Sequence, residues 1–211
     1  MFVSGGGSNF RAIHAAILDG RIAGAAVAAV VTDAPGCGGA AHARAHGIPV
    51  LAYPRPRSGA FEGLTSLELA EALSPEGGAD TAADVALLAG YLKLVPAEVV
   101  KRFPRRMLNI HPALLPAFGG KGLYGERVHR AVIASGARFS GPTVHFVDEA
   151  YDTGPILAQR CVPVRPNDTP ARLARRVLEA EHLVYPEAVA ALVEGRVTWR
   201  EDGVPVVWSA S

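Results

Sequence analysis

The stretch RRMLNIHPALLP, residues 105–116, decides how the chain is read. Its first half is an apolar run of strand character. Pro112 then ends that run, because proline has no N–H to give to a β-ladder. Asn109 and His111 stand two apart, so on a strand both side chains point to the same face. An amide donor and a titratable base therefore sit together at a strand's end, which is where open α/β sheets bind ligands.

Upstream, the runs FVS (2–4), AAVAAVVTD (25–33), IPVLAY (48–53) and DVALLAG (84–90) share the character of RRMLNIH (105–111). They are continuously apolar rather than alternating, the pattern of strands buried on both faces. Segments of helical period separate them: NFRAIHAAILDG (9–20), GAAHARAHG (39–47), FEGLTSLELAEALS (61–74) and PAEVVKRFP (96–104). Strand and helix in alternation predict an α/β fold: an open, mostly parallel twisted sheet with helices on both faces, Rossmann-like in outline. The C-terminal half changes character. GPTVHFVDEAYDTGPILAQRCVPV (141–164) reads as two strands joined by a polar turn, adding antiparallel strands. Residues 167–195 read as one long helix with Thr169 as N-cap and Pro170 at its first position. Pro186 should kink or interrupt that helix. VTWREDGVPVVW (197–208) reads as a terminal hairpin, and loops are expected at 54–59 and 117–125.

The composition narrows the partners. With 211 residues, 49% of them apolar, one domain over 1–211 is expected, in three parts: 1–105, 106–195 and the hairpin at 196–211. A formal net charge of +1, with both signs interleaved, leaves no footprint for nucleic acid or an anionic membrane. Small molecules are the expected partners. Cys37 and Cys161 are the two cysteines, so no disulfide framework and no cysteine metal spacing can be read. No leader pattern and no apolar run near the roughly 20 residues of a membrane span is seen, and a reducing cytoplasm is expected.

Three motifs carry chemistry. In SGGGSN, Ser4 to Asn9, glycines let the backbone approach a ligand and the start of a helix attracts an anion. A phosphate is the functional reading, and a tight strand-to-helix turn the plain one. The dinucleotide fingerprint fails at Phe10, although Asp33 lies at about the right distance for a ribose-binding acid, and the P-loop spacing fails here and at GGKG (119–122). Asn109 with His111 is the second motif; its plain reading is a hydrogen-bonded structural pair. The third is DEAYDTGP (148–155), where Asp152 follows a strand carrying His145; a lone Asp before Gly-Pro usually caps its own backbone. What raises all three is their shared position at or just beyond the ends of predicted strands.

Taken in order, SGGGSN, LAGYLKLV (88–95), NIHPALLP (109–116), SGPTVHFVDEAYDTGPI (140–156) and EAEHLVYP (179–186) resemble the phosphoribosylglycinamide formyltransferases, a folate-dependent family of purine synthesis. The related methionyl-tRNA formyltransferases carry an added tRNA-contacting domain, and formyltetrahydrofolate deformylases an added domain before the catalytic one; neither addition is expected here. The resemblance implies the formyltransferase version of the fold, with phosphate binding in 1–105 and catalysis and folate binding in 106–195. It implies formyl transfer from 10-formyltetrahydrofolate, a co-substrate, to the amine of 5'-phosphoribosylglycinamide, with no metal. Asn109, His111 and Asp152 would form the catalytic set, and their types suit it. An amide can donate to the oxyanion of a tetrahedral intermediate, an imidazole can move protons, and a carboxylate can hold the imidazole. The resemblance places the substrate phosphate on Gly7, Ser8 and Asn9 and a ribonucleotide contact at Glu181. It places the folate against Leu88, Tyr91, Leu92, Lys93, Leu94, Val95, Asn109, Val147 and Asp148, with His145 supporting the site from behind. From the residues alone, Glu181 is a solvated helix-face carboxylate, and His14 and His129 are ordinary surface or core residues.

Lys93 stands where the family often has Arg, and Leu64 where it frequently has a basic residue. Only Met1 to Val3 precede Ser4, where the family has a fuller first strand, so either that strand is short or the true start lies further upstream. The chain is expected to act as a monomer or homodimer. Two other readings stand beside this one: hydrolytic release of formate from the same folate, and a non-catalytic nucleotide-binding module.

Overall fold

The computed structural model describes residues 1–209 except 57, 60, 76 and 77, so the expected 54–59 loop and the end of the 196–211 hairpin lie partly outside the described residues. The expected sheet is present. The first half alternates β1 (Phe2–Val3), α1 (Ser8–Leu18), β2 (Val30–Thr32), α2 (Gly38–Ala45), β3 (Val50–Ala52), α3 (Ser66–Ala72), β4 (Ala86–Leu88), α4 (Ala97–Val100) and β5 (Met107–His111). The second half holds α5 (Glu126–Ala134), β6 (Phe139–Ser140), β7 (Thr143–Phe146), β8 (Ile156–Gln159), β9 (Val162–Pro163), α6 (Pro170–Val193) and the hairpin β10 (Val197–Trp199) and β11 (Pro205–Val207). Seven strands form one sheet in the order β3-β2-β1-β4-β5-β7-β8. The first five run parallel, and β7 and β8 are antiparallel.

Neighbouring strand residues go to opposite cores, which is why these strands read as unbroken apolar runs. Val3, Val30, Leu87 and Leu108 join α1 and α6 on one face. Phe2, Val31, Leu88 and Met107 join Leu69 of α3 and Val99 of α4 on the other. Each such side chain, fully buried, stabilises the fold by roughly 1.5–3 kcal/mol. Tyr185 of α6 stitches the layers together: its hydroxyl lies 3.0 Å from the Leu88 carbonyl and 3.1 Å from that of Leu108.

Several boundaries differ from expectation. The 25–33 run forms a strand only at 30–32, where Val31 N–H donates to the Met1 carbonyl and Val30 N–H to that of Pro49. The helix read at 61–74 starts at Ser66, where Thr65 and Glu68 form a capping box, and the one read at 96–104 is a single turn. Residues 126–134, left unassigned by the sequence, form α5. Pro186 does not interrupt α6, which runs from Pro170 to Val193 with Thr169 capping Arg172 N–H. A proline costs an interior helix its hydrogen bond to the carbonyl four residues back. Here its ring is buried beside Tyr185, Val184 and Val189, and tertiary packing holds the turn. Leu64, expected as a departure near anionic ligand ends, packs against the second core.

Candidate active site

Strands β5 and β7 build the centre. Their register puts Asn109 opposite His145 and His111 opposite Thr143. His145 Nδ1 donates to the Phe146 carbonyl at 2.8 Å, so its Nε2 keeps a lone pair and accepts from Asn109 Nδ2 at 3.0 Å. The same Nδ2 lies 3.5 Å from Asp152 Oδ1, too long for a firm bond. One amide N–H is therefore committed and the other is open to a better acceptor. His145 thus holds the Asn109 amide in place.

His111 is almost wholly buried. Its Nε2 donates to the Phe118 carbonyl at 2.8 Å, which leaves the lone pair on Nδ1, 3.5 Å from Asp152 Oδ2. Burial pushes the imidazole below its usual pKa, while Asp152 and the Phe118 carbonyl pull it up and His145 presses it down again. Asp152 stands in a left-handed backbone conformation at φ 58°. Burial raises its carboxyl, but contacts with His145 and His111 and the Gly120 N–H, 2.9 Å from Oδ2, outweigh that and hold it below the usual range. The expected loop at 117–125 is thus tied to the centre by two backbone groups. Gly119 permits the approach, because a Cβ there would stand 3.2 Å from Asp152 Cβ and collide with Leu115.

The glycine loop lies at the start of α1. Gly7 is the N-cap at φ 71°, with no side chain capping the helix, and a Cβ on it would come within 2.7 Å of Gly39 Cα. Ser4 Oγ accepts from Leu92 N–H at 3.0 Å, joining this loop to the 88–95 segment. Asn9 is buried, and its Nδ2 donates to Glu181 Oε2 at 2.6 Å, while its own Oδ1 is buried without a partner. Glu181 is thus not the solvated carboxylate that its helix position suggests. It is 8% exposed, and burial raises its pKa against the partial opposition of Asn9. Facing the strand ends, α6 brings position 181 over the start of α1, a proximity no local pattern shows.

A cavity of about 870 Å³ unites these groups. Asn109, His111, His145 and Asp152 line it, as do Asn9 and Glu181, the whole segment Leu88, Tyr91, Leu92, Lys93, Leu94 and Val95 without a gap apart from Ala89, and Val147 and Asp148. Gly7 and Ser8 are not among its lining residues. The sequence reading missed Lys121, Arg127, His129 and Arg175, which also line it. His129, read as ordinary, is buried with an unpartnered Nδ1 and a pKa lowered by burial and then by His111. The Phe118 carbonyl and Gly120 N–H were missed as well, since a backbone group leaves no mark in side-chain chemistry. A second cavity, about 490 Å³ beneath Met1 and residues 24–29, has a mostly apolar lining that also includes Asp84 and Arg106. No described helix is long and apolar enough to cross a membrane.

Known proteins resemble this chain over most of its length. The formyl transferase family matches residues 1–189. A chloroplastic phosphoribosylglycinamide formyltransferase of Arabidopsis thaliana is 58% identical over 207 residues, which are 98% of this chain and 69% of the relative. Its counterpart from Vigna unguiculata is 56% identical over 209 residues, 99% of this chain and 65% of the relative. The chain spans about two thirds of the length of these plant proteins. Among solved structures, glycinamide ribonucleotide transformylase 1 from Symbiobacterium toebii superposes with a TM-score of 0.82 at 36% identity, covering 99% of this chain and 92% of that one.

Proposed function

The chain belongs to the formyl transferase family, and on that premise we propose that Asn109, His111 and Asp152 perform its chemistry in the cavity at the ends of β4 and β5. The reaction is transfer of a formyl group from 10-formyltetrahydrofolate to the amine of 5'-phosphoribosylglycinamide, a step of purine biosynthesis. The substrate amine attacks the formyl carbon, and the carbonyl oxygen takes up the negative charge. Asn109 donates its uncommitted N–H to that oxyanion, exchanging the 3.5 Å contact to Asp152 for a charge-assisted bond. His111 Nδ1, which holds the lone pair because Nε2 is spent on Phe118, takes the proton lost by the amine. Asp152, held ionised, stabilises the imidazolium. Collapse of the intermediate breaks the bond from the formyl carbon to N10, and N10 receives the proton.

We place the two substrates on the residues around this centre. The N–H groups at Gly7, Ser8 and Asn9 open α1 without a side-chain cap and suit the ribonucleotide phosphate. Glu181 has one oxygen on Asn9 and the other free to accept from the ribonucleotide. Leu88, Tyr91 to Val95, Val147 and Asp148 take the folate. Two free cysteines suit a reducing compartment, and we assign the chain to the cytoplasm, where the plant relatives are chloroplastic.

The observation that carries the site assignment is the convergence of an amide N–H, an imidazole lone pair and an ionised carboxylate in one cavity that Asn9 and Glu181 also line. Formyl loss from 10-formyltetrahydrofolate, followed spectroscopically with and without the ribonucleotide, tests the activity. Loss that requires the ribonucleotide is expected. Equal loss in its absence would instead make the chain a hydrolase.

A further inference from the structure

We infer that the helix pair α1 and α2 carries a site for one zinc ion, held by His14, His42 and His46 and distinct from the formyl-transfer cavity. Among the described residues, this is the one group of three metal-capable side chains whose donor atoms all lie within 4.8 Å of one another. None of the three lines the 870 Å³ cavity.

The fold builds the group from two helices. His42 and His46 are four apart at the end of α2, so they share a face. His14 meets them from α1, buried and stacked on Phe10. His14 Nδ1 and His42 Nε2 are 3.0 Å apart, so a single proton bridges two nitrogen lone pairs. A metal ion can take that proton's place. His46 Nδ1 donates to the His42 carbonyl at 2.8 Å, which orients the ring and leaves Nε2 with its lone pair. A second-nitrogen bond of this kind is the usual support of a metal-binding imidazole.

Imidazole binds metal in its neutral form, and the cation near His42 is Arg11. Arg11 itself is occupied by the Gly6 and Gly38 carbonyls at 3.3 and 3.2 Å. No carboxylate belongs to the group, and three neutral nitrogens suit zinc over magnesium or calcium. Tetrahedral zinc at 2.0–2.1 Å from nitrogen needs donors about 3.4 Å apart. His14 and His42 already stand near that spacing, and exposed His46, at the helix end, can close the remainder by side-chain rotation. A fourth position stays open to water. The ion would clamp α1 to α2, whose starts meet where Gly39 N–H donates to the Gly5 carbonyl at 3.0 Å.

The test is zinc titration of the chelator-stripped full chain by calorimetry, with cobalt as a coloured substitute for coordination geometry. One zinc per chain, tetrahedral cobalt absorption and a higher Tm with zinc are expected. Affinity should fall at least about tenfold in His42→Ala and in His46→Ala, since even supporting residues cost that much. Exposed His46 guards against loss of the fold as the cause. Cys37→Ser, Cys161→Ser and His111→Asn should bind as the parent does. Failure of the parent to bind, unchanged affinity in His46→Ala, or loss of binding in His111→Asn would each overturn the site.

Discussion

Two histidine groups share this chain and differ in what stands beside them. At the strand ends, His111 and His145 surround an ionised Asp152, at 3.5 and 3.6 Å, and each ring also donates to a backbone carbonyl. On the helix pair, His14, His42 and His46 face one another with no carboxylate among them. Burial lowers imidazole pKa in both places, but Asp152 opposes it at His111, whereas the neighbouring imidazoles reinforce it at His14 and His42. A carboxylate lets a buried imidazole pick up a proton and return it. Without one, the same ring keeps its lone pair and becomes a ligand.

Removing the carboxylate should convert the first group toward the second. Asp152→Asn is expected to lower kcat by about 10²–10⁴-fold, the range of general acid–base catalysis, with KM for both substrates little changed. The His111 pKa should drop further, as ring-proton NMR would record. A raised KM at unchanged kcat would make Asp152 an anchor and break the comparison. Asn109→Ala comes next, at about 10²–10³-fold in kcat for one lost oxyanion donor. Because His111 and Asp152 remain, the limbs of its kcat/KM pH profile should stay in place; a shifted limb would mean that Asn109 tunes the base.

The proposed catalytic group was legible in the sequence for a local reason. Asn109 and His111 alternate on one strand, and Asp152 follows in the turn after the strand that carries His145, so knowing the strands is nearly enough to bring them together. The sheet was legible too, since strands covered on both faces leave unbroken apolar runs. The rest depended on contacts between elements. Glu181 reads as a surface residue until α6 lies over α1. His42 and His46 carry a four-residue spacing, but His14 joins them only because α1 and α2 are neighbours. α5 was overlooked although Val128 and Val132 recur at helical spacing and Glu126 pairs with Arg130. Pro186 does not break α6, as the kink-or-break reading allowed, because propensity weighs a proline in isolation and here the surrounding core holds the turn.

Glu181 sharpens the contrast from the other direction, as a carboxylate with an amide and no imidazole. Glu181→Gln is expected to raise KM for the ribonucleotide about tenfold, equivalent to ~1.4 kcal/mol, with a smaller change in kcat. Its effect on stability runs the opposite way. The folded pKa is raised from 4.5, so the carboxyl's contribution is complete below that value and is lost as pH rises through the folded pKa. The ligand-free Gln variant escapes that loss and should melt no lower than the parent at neutral pH. Melts across pH without substrate check this, and a lower Tm would mean that the ionised carboxylate supports the fold.

The smallest effect is expected at His46, and it isolates like-charge coupling from burial. His14 and His42 have folded pKa values below their ordinary 6.5, so the unfolded chain binds more protons in acid. Their stabilising contribution is therefore complete above 6.5 and is lost as pH falls through that value toward the folded one. Burial is the first cause and His46 the second, so His46→Gln should remove only the smaller part. The metal-free variant should lose slightly less stability on acidification than the parent, by no more than ~0.5 kcal/mol as befits an exposed position. In ring-proton titrations His14 and His42 should move up together while His111 stays where it was, because its neighbours are Asp152 and His145 rather than this group. If His14 and His42 stay in place, burial alone sets their protonation, and the two histidine groups differ by their carboxylate and by nothing else.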